Sequence, residues 1–379
     1  MNRLGALLLM LALAGCSSFG GGTRENLPPP PAASAYKTDV GVRVAWSKSL
    51  GRLPAQAGFA LRPAVAGDRV FVANAEGRVS AFAVETGQLV WQRELGRPLS
   101  AGPAAAGDLV VVGARDGEAV GLRAADGEIL WRSGVTSEVL AAPAVDTELV
   151  VVRVADGRVF GLDASSGRRR WLYEQTVPAL ALRGTSSPLL VPGRLVVVGL
   201  DTGKLVALAP DSGRPLWEAI VATPRGRSDL ERLVDIDADP LLYRTDIYAA
   251  SYNGRLAAID AASGRTRWDR ELSVFAGLAV DSGRVYATDA ERRIWAFDRF
   301  SGASVWRQDD LRGLQQLTGP AVFGDYVLVG DAAGYLNWLS LRDGSLQRRQ
   351  KIGGAFVAAP IVQNGTIYVL TEKGLTVLR

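Results

Sequence analysis

This chain of 379 residues has no histidine and one cysteine, Cys16, which narrows the chemistry open to it. Without histidine there is no Ser-His-Asp or Cys-His relay, no imidazole metal ligand and no common base near neutral pH. With the only thiol at position 16, neither a thiolate metal site nor a CxxCH haem attachment can be built. No phosphate-cradling P-loop and no GxGxxG after a strand is present. Carboxylates remain, and the closest pairs are Asp309-Asp310 and Asp235 with Asp237. Acid–base work on a glycoside needs two carboxyl groups facing each other across a cleft, which sequence spacing does not establish. The expectation is a non-enzyme with no catalytic residues, no cofactor and no metal.

Cys16 has a different use. Arg3 is followed by an apolar run over residues 4–13 and then by Leu13-Ala14-Gly15-Cys16. The run is too short to span a bilayer as a stable helix and reads as a signal peptide, residues 1–15. The last four residues look like a bacterial lipobox, which makes Cys16 a lipidation site. Several acyl chains anchor a protein stably where one does not. Ser17, rather than Asp, follows the cysteine, which resembles the outer-membrane address of such lipoproteins. Residues 16–41 contain three consecutive glycines (20–22) and four prolines (28–31) and read as a flexible tether. The expected location is the outer membrane, lipid-anchored on its periplasmic face. The net charge of +4 falls to +3 without Arg3, and the tight basic clusters are Arg168-Arg169-Arg170 and Arg348-Arg349. Both are read as solvated turns of outer strands, so nucleic-acid binding is not expected.

Whatever sites exist must be positioned by a repeat of about 40 residues, the period of a propeller or similar array. A glycine is followed four residues later by tryptophan at Gly87/Trp91, Gly127/Trp131, Gly167/Trp171, Gly213/Trp217, Gly264/Trp268 and Gly302/Trp306. A seventh copy, Gly344, has Arg348 in place of the tryptophan, and Trp46 stands alone near the start. Each copy opens on a short motif headed by Pro63, Pro103, Pro143, Pro188, Pro240, Leu278, Pro320 or Pro360. Between these markers lie four short β-branched segments separated by Gly/Asp turns, the pattern of a four-stranded meander. Eight openings meet seven downstream closings, and the last copy stops after three strands. The orphan segment 42–46 supplies the missing strand. The fold expected is all-β: an eight-bladed propeller over residues 42–379, closed by pairing the N-terminal strand with the C-terminal blade.

The regular tryptophans are read as wedges between blades rather than as a sugar platform. Trp295 and Trp338 fall on third strands, outside that register. Asp163, Asp260 and Asp298 each precede the turn glycine by four residues and are read as turn-fixing acceptors, too evenly spread to share a metal. Two junctions are longer than the rest: residues 173–185 and residues 222–239. Loops on a rigid scaffold usually carry function, and these two offer Leu180, Leu182, Arg183, Asp235 and Asp237, a mixture of apolar anchors and opposite charges. On the residues alone, an interface and a pair of irregular linkers remain equally open. The stretch 228–239 is compatible with a helical turn or an extended arm.

The Asp-x-x-[Ser/Thr]-Gly-x-x-x-Trp element resembles the repeat of quinoprotein dehydrogenases, eight-bladed propellers that bind PQQ. Over its whole length, however, the chain resembles the non-enzymatic BamB family, lipoproteins of the outer-membrane β-barrel assembly machinery. The lipobox at Cys16, the eight copies and the segments Leu180-Ala181-Leu182-Arg183-Gly184 and Arg232-Leu233-Val234-Asp235-Ile236-Asp237 carry that resemblance. It implies that Leu180, Leu182, Arg183, Asp235 and Asp237 bind the periplasmic POTRA domains of BamA. It also implies contact with other subunits through BamA, and support for folding and insertion of outer-membrane proteins, with nascent chains as a further partner. The adjacent cysteines of the quinoprotein enzymes are missing here. A PQQ-dependent periplasmic dehydrogenase and a cell-wall or glycan-binding propeller are the rival readings.

Overall fold

The computed structural model describes residues 29, 31–51, 53–54, 59–175, 186–228 and 231–379. They form eight sheets of four antiparallel strands, one of which gains a short parallel fifth strand, Ala60–Leu61. Blades 1 to 7 occupy residues 64–94, 99–134, 144–173, 189–220, 241–271, 274–308 and 321–351. Blade 8 joins Ile361–Gln363, Thr366–Thr371 and Gly374–Leu378 to the N-terminal strand Val44–Lys48. The expected all-β ring, with its last blade shared between the two ends of the chain, is the fold observed.

Each blade follows from its sequence pattern. Second strands such as Leu109–Ala114, Leu149–Arg153 and Leu195–Gly199 are buried at every residue, because neighbouring blades cover both of their faces. Outer strands expose almost everything except the tryptophan, as in Leu89–Glu94. Closure is a register of four pairs, from Val44 opposite Leu378 to Lys48 opposite Leu375. Reciprocal Arg43 and Arg379 backbone hydrogen bonds of 2.7 and 3.0 Å lie just beyond it. The pairing gives the three-stranded C-terminal blade its fourth, outer strand and covers the edge of Gly374–Leu378.

The tryptophans link blade to blade. Each indole donates to a backbone carbonyl of the next blade: Trp46 to Val84, Trp91 to Ala124, Trp131 to Ala164, Trp171 to Pro210, Trp217 to Ala261, Trp268 to Arg299 and Trp306 to Leu341, at 2.8–3.1 Å. Its ring lies on the turn glycine of that blade. A Cβ on Gly167, for example, would stand 2.6 Å from the Trp131 ring, and its φ of +68° already favours glycine. A β-bulge just before every one of these tryptophans aims the side chain at its neighbour. The bulge residues Val90, Leu130, Leu216 and Val305 are left facing solvent. On the adjoining third strand a Gly or Ala faces the indole in blades 1 to 6, as Gly121 faces Trp131.

Arg348 occupies the same place in blade 7, and the ring explains why. The tryptophan of one blade rests on the turn between the third and fourth strands of the next. In blade 8 those strands are Gly374–Leu378 and Val44–Lys48, at opposite ends of the chain, so there is no turn to receive an indole. The bulk sits on the facing third strand instead, where Trp338 is fully buried and packs edge-on to Phe323 and Tyr326. Arg349 departs from the expected solvated cluster: it is buried, paired with Asp331 at 2.8 Å and bonded to the Asn337 side chain at 2.8 Å. At residues 37 and 38, within the stretch read as tether, the chain lies along this edge. Lys37 bridges Arg348 and the Thr38 N–H donates to the Gln347 carbonyl.

The turn aspartates are structural, as expected. Asp163, Asp260 and Asp298 accept hydrogen bonds from the backbone and hydroxyl of Ser165 and Ser166, Ser263, and Ser301 respectively. These bonds hold all three carboxyls below the usual range, with the serine hydroxyl bond the largest cause in each case.

Candidate functional site

The two long junctions connect blade 3 to blade 4 and blade 4 to blade 5. Leu180, Leu182 and Arg183, on the first, lie outside the described residues, as does Cys16. The first junction re-enters the described chain at Ser186, which is fully buried.

In the second junction Glu231 Oε2 accepts the backbone N–H groups of Arg227 (2.7 Å) and Ser228 (3.2 Å), and the Arg232 N–H donates to the Ser228 carbonyl at 3.2 Å. The chain then runs extended between two blades. The Ile236 N–H donates to Leu200 of blade 4 at 3.3 Å, and the Asp235 carbonyl accepts from Tyr252 of blade 5 at 2.9 Å. Leu233, Val234 and Ile236 are buried. Gly199 makes room for them, since a Cβ there would stand 2.4 Å from the Ile236 side chain and 2.7 Å from the Ser186 hydroxyl.

Seating this apolar stretch carries its carboxylates inward. Asp235 is 1% exposed, and Asp237 is partly buried with its Oδ1 enclosed and accepting no hydrogen bond. Beside them, Arg153 at the end of a blade 3 strand is 1% exposed; it is ion-paired with Asp201 of blade 4 and lies 3.4 Å from the Ser186 hydroxyl. Burial, then the charge of Asp235, pushes the Asp237 carboxyl up to about 7; Asp201 adds to the rise and Arg153 opposes it. Blades 3, 4 and 5 thus bring three carboxylates and a guanidinium together at one end of the ring, where both junctions converge. Asp201, Asp235 and Arg153 are closed off from solvent, and the partly exposed Asp237 is the member that can meet a cationic or hydrogen-bond-donating partner; nothing in the group resembles a nucleophile with its base.

Arg153 and Asp201 did not figure in the sequence reading, although Arg153 left a signal. It occupies the position that Ala73, Gly113, Gly199, Ala250, Thr288, Gly330 and Leu370 hold in the other second strands, a lone cation in a fully buried run. A cleft of about 480 Å³ opens beside the start of the second junction, lined in part by Thr223, Arg225, Arg255, Arg293 and Trp295, and the aspartates are not part of its wall. The other carboxylate pair does not form a facing site: Asp309 binds Arg307 at 2.7 Å, while the Asp310 N–H donates to the Gln308 side chain. Among the described residues no group of three or more acidic, histidine or cysteine side chains is arranged to hold a metal ion.

The family model described as outer membrane protein assembly factor BamB matches residues 75–308 and 296–379. A protein of that name from Alkalilimnicola ehrlichii is 54% identical over 374 residues, covering 98% of this chain and 95% of the relative. The Pseudomonas aeruginosa protein of the same name is 48% identical, with 97% and 96% covered. The crystal structure of BamB from Moraxella catarrhalis superposes with a TM-score of 0.82 at 29% identity, covering 89% of this chain and 99% of that one. Quinohemoprotein alcohol dehydrogenase from Comamonas testosteroni shares the fold at 17% identity, with a TM-score of 0.70 over 93% of this chain and 78% of that one. The nearly full-length relatives are named as assembly factors and not as enzymes, and the chain belongs to the BamB family of outer membrane protein assembly factors.

Proposed function

We propose that this chain is a scaffold subunit of the outer-membrane β-barrel assembly machinery, anchored to the periplasmic face of the outer membrane through Cys16. It binds the POTRA domains of BamA through its two long junctions and carries out no covalent step. Leu180, Leu182 and Arg183 on the first junction and Asp235 and Asp237 on the second form the docking set. The observation that carries this reading is the wedged 233–237 segment. Its carboxylates are held by rigid blades on both sides, at the point where the first junction also returns to the ring. Pre-organised charges of this kind bind without a large ordering cost. Through BamA the chain would join the other subunits, and open outer-strand edges offer nascent barrel strands a place to pair.

The glycan reading is disfavoured by the tryptophans. Seven of them are committed to junctions between blades, with their N–H groups already bonded.

The test is binding of the full chain to the BamA POTRA domains, wild type against Arg183→Ala and Asp235→Ala, with circular dichroism confirming that each variant is folded. Loss of a central charged contact weakens binding by about 2 kcal/mol or more, roughly thirtyfold. Equal binding by all three would remove the site, and a wild-type chain that does not bind would remove the function.

A further inference from the structure

Eight positions are equivalent in the repeat, each just before the residue that heads a blade opening. They are Arg62, Gly102, Ala142, Ser187, Asp239, Gly277, Gly319 and Ala359. Five are glycine or alanine. The other three interact with one another. Arg62 lies two residues before blade 1 and Asp239 two residues before blade 5, directly opposite in a ring of eight, yet the Arg62 guanidinium lies 2.5 Å from Asp239 Oδ2. The other oxygen, Asp239 Oδ1, accepts the Ser187 backbone N–H at 2.6 Å. Ser187 lies two residues past the first long junction, and Asp239 is the last residue of the second. One carboxylate therefore ties together the chain at the exit of both junctions, and an arginine from the far side of the ring holds that carboxylate. Arg62 is itself steadied where the chain adds Ala60–Leu61 as a parallel fifth strand on blade 2, with the Arg62 N–H donating to the Gly102 carbonyl at 3.3 Å.

We propose that Arg62 and Asp239 form a clamp across the ring that sets the relative placement of the two docking junctions. Arg62, though distant from the partner, is then a positioning residue for docking. This rests on the docking role proposed above. The clamp acts two residues from Asp237 on the second junction and, at Ser187, on the described residues that follow the first. A side chain that pins both junctions lowers the ordering cost of presenting them together.

The test has two arms on the full chain, with wild type, Arg62→Ala, Arg62→Lys, Asp239→Asn and Asp239→Ala. In the first, hydrogen exchange is followed by mass spectrometry. Arg62→Ala is expected to speed exchange roughly tenfold in peptides covering 186–189 and 233–240, with the second strands of the blades unchanged. Arg62→Lys restores much of that protection. Asp239→Asn keeps an acceptor for Ser187 and loosens the first junction less than Asp239→Ala does. No change at either junction, or faster exchange throughout the ring, would overturn the clamp. The second arm measures POTRA binding, expected to weaken about fivefold in Arg62→Ala and to recover in Arg62→Lys. Loosened junctions with unchanged affinity would overturn the positioning role. If the wild type does not bind but the exchange pattern holds, the clamp stands and the docking reading falls.

Discussion

Replacing Trp131 with alanine tests the account of how the ring holds together. The side chain is 6% exposed, lies on Gly167 of the next blade and donates to the Ala164 carbonyl at 2.9 Å. Removing an indole that buries about 200 Å² forfeits about 5 kcal/mol at 25 cal/mol per Å². The range for large-to-small core changes, roughly 3–5 kcal/mol, agrees. The ring has about 340 residues, and an unfolding entropy near 2.1 cal/mol/K per residue gives about 0.7 kcal/mol/K. A loss of 4 kcal/mol then lowers Tm by about 6 °C if the ring unfolds as one unit. Trp131→Phe keeps most of the apolar contact and loses the N–H bond, worth about 1 kcal/mol, so its Tm falls by about 1.5 °C. Calorimetry on the full chain gives both numbers. A drop below about 2 °C for the alanine variant, with cooperativity unchanged, would show that the wedge does not hold neighbouring blades together. Equal damage from both variants would assign the effect to the hydrogen bond and not to burial.

Two further outcomes follow from particular sites. Arg348→Trp, which restores the repeat consensus, lowers Tm instead of raising it, because the facing position already holds buried Trp338 and blade 8 has no turn to receive the indole; a thermal melt showing stabilisation would refute this. Asp237 has its carboxyl raised from 3.8 to about 7 in the folded ring, so the folded state keeps a proton that the unfolded chain has released. Stability therefore falls as pH rises from about 4 to about 7 and levels off above, by at most about 4 kcal/mol. Asp237→Asn removes that fall: its melting temperature exceeds wild type at pH 8 and matches it near pH 4, whereas coincident melting curves at pH 8 would contradict the burial argument.

The repeat made most of the fold legible. The spacing of glycine and tryptophan, the proline-headed openings and the unmatched strands at the two ends were enough to count the blades and close the ring. The bulge before each tryptophan was not legible, because an extra residue in one strand leaves no mark of type; Val90, Leu130 and Leu216 look like ordinary strand residues. Arg349 was misread because the chain's return from the N-terminal side buries it, and no local pattern carries a contact over such a separation. Asp235 and Asp237 were picked out as a pair, but their burial depends on Ile236 seating beside Gly199 in another blade. Arg153 could have been found by aligning the second strands. The partnership of Arg62 with Asp239 depends on blades 1 and 5 being opposite, a property of the closed ring and not of any segment.

Ring closure links folding to function. Buried carboxylates lower stability where they sit, so a junction that collects Asp201, Asp235 and Asp237 is tolerable only inside a frame fixed by other means. The tryptophan wedges and the strand Val44–Lys48 supply that frame. The same strand leads, within fourteen residues, to Arg62, which reaches its partner only when blade 8 is complete and blades 1 and 5 face each other across the axis. An open ring would keep its individual blades yet lose the clamp, and with it the fixed separation of the two junctions. A partner that reads both junctions at once therefore distinguishes a closed propeller from an incomplete one, through a contact it never touches.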